Sequence, residues 1–261
     1  MSDWSGGQVT ARARCVLATN PSPMTLDGTN TWVLREPGAA RSVVVDPGPL
    51  AEAHLQAVLA AAAPVGVALL THAHADHAEG ARRFAELAGC GVRALDPAQR
   101  LGTDEGLRDG DAVAVDGLEL RVVGTPGHTA DSLSFVLPAE AALLSGDTVL
   151  GRGTSVVAWP DGRLDDYLTS LQRLVRLAEN GVVSWVLPGH GPPVDDASAV
   201  LAGYVRHRHE RLSQVEAALA AGDRTAAEVV ERVYADVDPA LWPAAQLSVE
   251  AQLAYLSARG A

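Results

Sequence analysis

Three histidines and one aspartate lie within six positions in the segment THAHADH, residues 71 to 77, of a chain that has only eight histidines. Imidazole and carboxylate groups without cysteine suit zinc, iron, manganese or cobalt. Alternate residues of an extended segment point the same way, so His72 and His74 can bind one ion. Asp76 and His77 follow where the chain turns into a helix and can reach a second ion. This segment predicts metal binding.

Ligand-type residues also follow three other apolar runs directly, as Gly127-His128, Gly146-Asp147 and Gly189-His190. Loops at strand ends are the usual place for catalytic groups, because the sheet holds them rigidly while leaving them exposed. A second ion needs more ligands than the first segment supplies, and His128, Asp147 and His190 complete the set. We therefore predict a centre of two metal ions at the ends of separate strands.

The elements that must position these residues are short apolar runs between Gly and Pro, interrupted by helical patterns. The predicted strands lie within residues 43–49, 67–72, 118–128, 133–138, 142–147 and 182–190. The predicted helices cover about residues 51–62, 78–88 and 165–179. Adjacent strands with separating helices indicate an α/β layered domain.

After Pro192-Pro193 the sequence becomes Ala-rich and predicts three helices without a further strand. The first begins at Asp195 or Asp196 and reaches Ala221. The second runs from Asp223 or Thr225 to Tyr234, and the third from near Pro239 to Arg259. We expect domains at residues 1–194 and 195–261, the second being a small helical satellite or lid.

Composition excludes some classes of function. The net charge of -12 argues against binding nucleic acid by bulk electrostatics, although a local basic groove stays possible. Cys15 and Cys90 are far apart in the sequence, and we expect two structural thiols of a reducing compartment. The N-terminal sequence lacks the apolar core of a signal peptide, and no apolar run reaches about 18 residues. These features predict a soluble cytoplasmic protein without a membrane partner.

The order H-x-H-x-D-H, then TPGH (125–128), SGD (145–147) and PGHG (188–191), resembles the metallo-β-lactamase superfamily over about residues 15–193. The resemblance implies a four-layer αββα sandwich of the α/β class. It also implies a ligand set: His72, His74 and His128 hold the first divalent ion, Asp76, His77 and His190 the second, and Asp147 bridges them. Zinc is the first expectation, and iron and manganese stay open.

The implied chemistry is hydrolysis by a hydroxide that the two ions share, because paired metals lower the pKa of water toward about 7. Asp76 and Asp147 are the expected catalytic residues, with Asp76 orienting the nucleophile. An acidic bridging ligand is typical of the thioesterases, phosphodiesterases and nucleases of this superfamily, so we do not expect a true β-lactamase. We expect Ser145 and Ser155 to be structural, and His54 to lie outside the chemistry.

Flanking segments resemble one subgroup more closely, namely NPSPMTLDGTNTWVL (20–34), SGDTVLGRGT (145–154) and Y-x-x-H-R-x-x-R (204–211). This subgroup carries a C-terminal winged-helix-like domain and includes the mitochondrial β-lactamase-like endoribonuclease, which cuts single-stranded RNA. GDRTAAEVVERVY resembles the helical part of that domain. The chain ends at ARGA, about where a wing hairpin would begin, so we expect the wing to be missing.

The helix from residue 195 to 221 has one apolar stripe with a charge inside it. The stripe consists of Leu201, Val205, Leu212, Val215 and Leu219. Arg208 falls within the stripe, while Tyr204, His207 and Arg211 lie along one flank. Two interpretations stay open. In the first, Arg208 forms a salt bridge to the main domain. In the second, Arg208 lines the cleft together with Tyr204, His207 and Arg211, and the four side chains bind an anionic substrate.

Three functions follow. The first, which the sequence favours, is a metal-dependent hydrolase of phosphodiesters such as single-stranded RNA, supported by the subgroup resemblance and the Tyr204-to-Arg211 cluster. The second is a glyoxalase-II-like hydrolase of small thioesters, which tolerates an acidic surface. The third is a DNA-binding regulator with a vestigial metal site, against which the complete ligand set argues. The expected partner is an anionic substrate, either RNA or a small thioester, and the sequence does not indicate an oligomeric state.

Overall fold

The computed structural model describes residues 4–102 and 105–260, and the strands in these ranges form two sheets. The strands are β1 (Gly7–Gln8), β2 (Ala13–Leu17), β3 (Asn30–Leu34), β4 (Ser42–Val45), β5 (Val65–Leu69), β6 (Gly91–Arg93), β7 (Ala112–Val115), β8 (Leu118–Gly124), β9 (Leu133–Leu137), β10 (Ala142–Gly146) and β11 (Trp185–Pro188). Residues 1–3 and Ala261, which the predicted domain boundaries include, lie outside the described residues.

The helices are α1 (Glu52–Ala62), α2 (Ala75–Ala78), α3 (Ala81–Ala88), α4 (Leu164–Glu179), α5 (Ala197–Ala220), α6 (Ala226–Val233) and α7 (Trp242–Gly260). The first sheet has the order β1-β2-β3-β4-β5-β6 and the second the order β11-β10-β9-β8-β7. β4, β5 and β6 pair in parallel, as do β10 and β11. Parallel neighbours need a crossover, and α1, α2 with α3, and α4 supply it.

Four layers, α-β-β-α, follow from the alternation of side chains along the strands. In β4, Val43 and Val45 join the core between the two sheets, and Val44 faces the core under α1 and α3. In β10, Leu144 packs between the sheets and Leu143 packs toward α4 and α5. Because successive strand residues point to opposite faces, such runs must be covered on both sides. The predicted αββα sandwich is confirmed.

The six predicted strand regions each overlap a strand, although β4 and β5 begin one and two residues before the predicted regions. The predicted helix at 78–88 was wrong in its extent. Two helices occupy residues 75–88, because the amide of Gly80 donates to Gly48 O rather than continuing the first helix. A Cβ on Gly80 would lie 2.8 Å from that oxygen, so glycine permits this close contact with the loop after β4.

The C-terminal helices begin at the predicted caps. The Asp196 side chain accepts a hydrogen bond from Ala199 N, and Thr225 forms a capping box with Glu228 at the start of α6. A 3-10 turn at Pro239–Leu241 leads into α7. No strand follows β11 within the described ranges. None of the described helices is long and apolar enough to cross a bilayer. The boundary between residues 194 and 195 stays a prediction.

The buried face of α5 differs from the predicted stripe. It consists of Ala197, Leu201, Tyr204, Arg208, Val215 and Ala218, while Val205, Leu212 and Leu219 are only half-buried. This spacing of three and four residues is that of a seam between packed helices. Leu201 and Tyr204 pack with α4, and Val215 and Ala218 pack with α6 and α7. The pattern was hidden because a tyrosine and an arginine occupy two positions of the seam.

Candidate metal centre

The ends of four strands bring the seven predicted ligand residues together. His72 and His74 follow β5, and Asp76 and His77 lie on the short helix α2. His128, Asp147 and His190 follow β8, β10 and β11 in the second sheet. All seven belong to clusters in which each residue offers a donor atom within 4.8 Å of the others. The residues are therefore placed to share metal ions.

Gly127 shows why the sequence before His128 is needed. Its φ is +133°, and a Cβ there would lie 2.3 Å from the backbone nitrogen of Tyr167. The amide of Gly127 also donates to Thr129 O, and its carbonyl accepts from Arg163 N. Only glycine allows the loop to run this close to the start of α4. The TPGH sequence thereby carries His128 from the end of β8 into the centre.

The first donor set consists of three imidazoles. His74 Nδ1 lies 3.0 Å from His72 Nε2 and 3.1 Å from His128 Nε2. Zinc bonds imidazole nitrogens at about 2.0–2.1 Å in tetrahedral geometry, which places neighbouring donors about 3.3 Å apart. The spacing of the three nitrogens fits one such ion.

The second donor set consists of Asp76, His77 and His190. Asp76 Oδ2 lies 3.3 Å from His77 Nε2 and 3.2 Å from His190 Nε2, and the two imidazole nitrogens are 3.3 Å apart. Asp147 reaches both sets, since Oδ1 lies 3.4 Å from His77 Nε2 and Oδ2 lies 3.7 Å from His128 Nε2. Among the described residues, its buried Oδ1 has no hydrogen-bond partner. This geometry fits a carboxylate between two ions.

Hydrogen bonds behind the ligands fix the orientation of four of the imidazole rings. The contacts on the Nδ1 atoms are His72 with Thr71 Oγ1 at 2.9 Å, His77 with Asp46 Oδ2 at 2.8 Å, His128 with Val156 O at 2.7 Å and His190 with Gly28 O at 3.0 Å. Each ring therefore directs Nε2 toward the donor clusters. Such outer partners set the tautomer of a ligating histidine and raise its basicity.

Asp46 is a functional residue that the sequence reasoning missed. Its side chain is buried and accepts from Thr71 N and Thr71 Oγ1, both at 2.7 Å, as well as contacting His77 Nδ1. Asp46 follows β4, so it stands at a strand end like the ligands themselves. The available signal in the sequence was that Asp-Pro-Gly directly follows a buried strand. It was overlooked because Asp46 has no neighbouring histidine in the sequence.

The carboxylates control the protonation of the second donor set. Burial opposes the charged form of His77, but Asp147, Asp46 and Asp76 outweigh it and raise the pKa of His77 well above its usual value. Burial likewise opposes the charged form of His190, while Asp147 and Asp76 raise the pKa of His190 to about 9. This field of negative charge attracts cations. A metal that binds here displaces the protons.

In the first donor set, His72 and His128 have pKa values that are lowered rather than raised. Burial, followed by the positive charge at His77, lowers the pKa of His72 well below its usual value. Burial is also the main cause of the lowered pKa of His128. For Asp147, burial would raise the pKa, but His190 and His77 lower it well below its usual range. Neutral imidazoles beside an ionised carboxylate are the protonation states that metal binding requires.

A cavity of about 360 Å³ opens beside the donor residues and has His128 and Asp147 in its wall. Three of the four predicted substrate residues line it, namely His207, Arg208 and Arg211. The cavity also has apolar walls, formed by the loop before β3, the segments after β10 and the C-terminal helices: Met24, Leu26, Leu150, Val156, Val237, Leu241, Ala244 and Ala245. It therefore combines positive charge with apolar surface.

Tyr204 does not line this cavity, and its predicted role in substrate binding is corrected. The side chain is only 4% exposed, and its hydroxyl accepts a hydrogen bond from Leu150 N at 2.7 Å. Tyr204 lies on the face of α5 that packs against α4, and for this reason its side chain does not reach the cavity. It supports the loop after Asp147 from behind.

Arg208 lacks the predicted salt bridge. No carboxylate of the described residues lies within ion-pair distance of its guanidinium, which instead donates from Nη2 to Ser155 O. The guanidinium also lies over the ring of Tyr167, 4.8 Å from its centroid. The contact to the main domain exists, but it is a hydrogen bond and a cation-π contact.

Ser145, Ser155 and His54 make hydrogen bonds that stabilise the loops around the donor residues or lie away from them. Ser145 Oγ donates to Val149 O at 2.7 Å, which closes the turn containing Asp147. Ser155 Oγ lies 3.3 Å from His128 Nδ1. His54 contacts Thr31 Oγ1 at 3.0 Å and is not part of either donor set. These positions agree with the expectation that none of the three carries out the chemistry.

The comparisons with known proteins agree with this architecture. The family model described as Metallo-beta-lactamase superfamily matches residues 24–190, and the model described as Beta-lactamase associated winged helix domain matches residues 225–261. A Beta-lactamase-like protein 2 homolog from Caenorhabditis elegans is 34% identical over 233 residues, covering 85% of this chain and 76% of that protein.

Two further similarities concern function and fold. An atrochrysone carboxyl ACP thioesterase from Aspergillus fumigatus is 32% identical over 243 residues, covering 84% of this chain and 72% of that enzyme. The crystal structure of a beta-lactamase domain protein from Burkholderia ambifaria has a TM-score of 0.83 at 26% identity, covering 98% of this chain and 88% of that chain. The similarity to the solved structure therefore includes the C-terminal helices.

Proposed function

The chain belongs to the metallo-beta-lactamase superfamily of metal-dependent hydrolases, and from that premise we propose that it hydrolyses a small anionic thioester at a centre of two divalent ions. The donor atoms of His72, His74 and His128 would hold one ion, and those of Asp76, His77 and His190 the other. Asp147 would bridge them. Zinc fits both sets, and iron or manganese would accept the second.

The cavity beside the centre is the observation that supports a thioester most directly. Arg211 in its wall suits an anionic group, and its apolar walls suit an acyl chain or the carbon skeleton of a thiol. A strand of RNA, in contrast, requires positive charge along an extended path. The net charge of -12 disfavours such a path. The thioesterase among the relatives supports the same choice.

The reaction forms a bond between a water oxygen and the acyl carbon and breaks the carbon–sulfur bond. The products are a carboxylic acid and a thiol, and the two hydrogens of water are shared between them. Bound divalent ions supply Lewis acidity and lower the pKa of water. Asp76 is held by a hydrogen bond from Thr29 Oγ1 at 2.9 Å, so its carboxylate has a fixed orientation toward the centre. We assign to Asp76 the orientation of the attacking water.

A second candidate is the hydrolysis of phosphodiesters in single-stranded RNA. The guanidinium of Arg211 in the same cavity as His128 and Asp147 favours it, since a guanidinium can bind phosphate oxygens in a bidentate manner. The resemblance to the subgroup that includes the mitochondrial β-lactamase-like endoribonuclease is a further argument. A DNA-binding regulator without catalysis is the weakest candidate, because both donor sets are complete.

The first experiment compares substrates directly. Protein loaded with zinc, iron or manganese is incubated with S-lactoylglutathione, with a series of acyl-coenzyme A thioesters and with end-labelled single-stranded RNA. His72→Ala, which removes a donor of the first ion, serves as the inactive control. Release of thiol without RNA cleavage supports the proposal. RNA cleavage without thiol release contradicts it and favours the second candidate.

A pair of variants tests whether the cavity is the substrate site. Ala244 is half-buried and lines the cavity, whereas Ala240 is exposed at the preceding turn and is not part of its wall. Ala244→Phe places a phenyl ring in the cavity and is expected to reduce kcat/KM for the thioester at least tenfold. Ala240→Phe should leave it unchanged. Equal kcat/KM in both variants would show that the substrate binds elsewhere.

A further inference from the structure

The segment from Asp147 to Val157 lies between the metal centre and helix α5. His128 Nδ1 donates to Val156 O at 2.7 Å and lies 3.3 Å from Ser155 Oγ. The same segment begins with the ligand Asp147, and the amide of Leu150 donates to the α5 residue Tyr204. The conformation of this segment therefore determines how His128 and Asp147 face the centre.

Arg208 on α5 holds the segment at the point behind His128. Its Nη2 donates to Ser155 O, the carbonyl directly before the one that accepts from His128. The guanidinium lies over the ring of Tyr167, whose hydroxyl donates to Thr148 O at 2.6 Å. Arg208 thus contacts the segment near Ser155 directly and near Thr148 through one aromatic ring.

The burial of the Arg208 guanidinium carries a cost in desolvation free energy. Its side chain is 7% exposed, and its Nε has no hydrogen-bond partner within the part of the chain that the structure describes. Burying a guanidinium without a carboxylate carries a large desolvation penalty, and an apolar side chain at such a position is often more stabilising. Packing alone does not explain an arginine here. The hydrogen bond to Ser155 O requires a long side chain with an N–H donor at this position.

We infer that Arg208 is a positioning residue of the metal centre, which acts through Ser155 and Val156 on the orientation of His128. Helix α5 thereby contributes to the construction of the first donor set. This inference rests on the two-ion centre proposed above and is independent of which substrate the centre hydrolyses.

Metal binding to the full chain tests the inference with Zn²⁺ and Co²⁺ as probes. Arg208→Met removes the hydrogen bond while keeping a long apolar stem. Arg206→Met, two positions away and exposed, is the matched control for loss of one positive charge from α5. Calorimetric titration of chelator-treated protein gives the affinity for each ion. The visible spectrum of the cobalt form reports the geometry of the imidazole donors.

We expect Arg208→Met to bind one of the two ions at least tenfold more weakly, the lower end of the effect of outer partners of ligands, and to change the cobalt spectrum. Arg206→Met should match the wild type. Arg208→Lys can still donate to Ser155 O and should recover part of the affinity. If Arg208→Met does not fold, Arg208→Gln provides the test, because its shorter neutral side chain does not replace the guanidinium, and wild-type affinity in that variant would oppose the inference.

Two results would overturn the inference. If Arg208→Met binds both ions with wild-type affinity and an unchanged cobalt spectrum, Arg208 does not position the centre. A raised KM in that same variant would identify it as a substrate contact instead. If the wild-type protein itself binds no ion, the proposed function fails together with the inference, which distinguishes the two failures.

Discussion

Replacement of Asp46 by asparagine should weaken metal binding without unfolding the chain. Asp46 is 2% exposed and offers one oxygen to Thr71 N at 2.7 Å and the other to Thr71 Oγ1 and His77 Nδ1. Asparagine keeps the oxygen for the Thr71 amide and replaces the second oxygen by an NH2 group, which cannot accept. The imidazole of His77 therefore loses its partner.

The magnitude follows from the position of Asp46 directly behind a ligand. Loss of an outer partner of a metal-bound histidine costs about 10–100-fold in metal affinity. This corresponds to about 1.4–2.7 kcal/mol of binding free energy. A buried N–H without an acceptor also costs about 1–3 kcal/mol of the free energy of unfolding. We expect the affinity for the ion at His77 to fall by this factor.

The assay is competition for zinc with a chromophoric chelator, with thermal unfolding measured on the chelator-treated protein. Asp116→Asn is the control, because Asp116 also has a positive φ, 45° against 52° for Asp46, and loses the same charge at an exposed site. Asparagine tolerates that backbone region in both variants. Wild-type zinc affinity in Asp46→Asn would refute the assignment of Asp46 as the partner that orients His77.

Three further predictions follow from metal binding, packing and protonation. Chelator should lower the Tm of the wild type more than that of His72→Ala, which keeps only the second donor set, because each ion at a thousand times its Kd stabilises the folded state by about 4.1 kcal/mol. Equal shifts in differential scanning calorimetry would contradict this. Leu120 is fully buried between the sheets, and Leu120→Ala should lower the free energy of unfolding, measured in urea, by about 2–5 kcal/mol. Leu50 is 57% exposed, and Leu50→Ala should change the free energy of unfolding by less than about 0.5 kcal/mol. Burial lowers the pKa of His54, so the unfolded chain binds more protons at this residue than the folded chain does. Below about pH 6.5 the wild type should therefore lose stability relative to His54→Gln. If the free energy of unfolding of the two proteins depends on pH in the same way, His54 is not a buried neutral imidazole.

The ligands could be predicted from sequence because metal chemistry restricts residue type strongly. Few sequences place His72, His74, Asp76 and His77 so close together without a metal to bind, and a strand end gives each residue a fixed direction. The later ligands are single residues, but each follows an apolar run and a glycine. Residue type and local structure together identify them. No tertiary contact has to be known in advance.

Asp46 and the face of α5 could not be predicted in the same way. The role of Asp46 comes from its proximity to His77, a residue 31 positions later in the chain. On α5, apolar periodicity favoured Val205 and Leu219, but the neighbouring helices bury Tyr204 and Arg208 instead. In both cases a contact between distant segments decides the outcome, and a single sequence does not contain it. Strand β3 was also not predicted, although all of its side chains are buried.

The arrangement of the first donor set across two sheets has a consequence for folding. His72 and His74 follow a strand of the first sheet, and His128 follows a strand of the second. An ion bound by all three is a cross-link between the halves of the sandwich, closing a loop of more than fifty residues. Its full coordination would exist only after the two halves have docked, since the three donors come from both sheets. The same cross-link would then slow the separation of the halves and lengthen the lifetime of the native state.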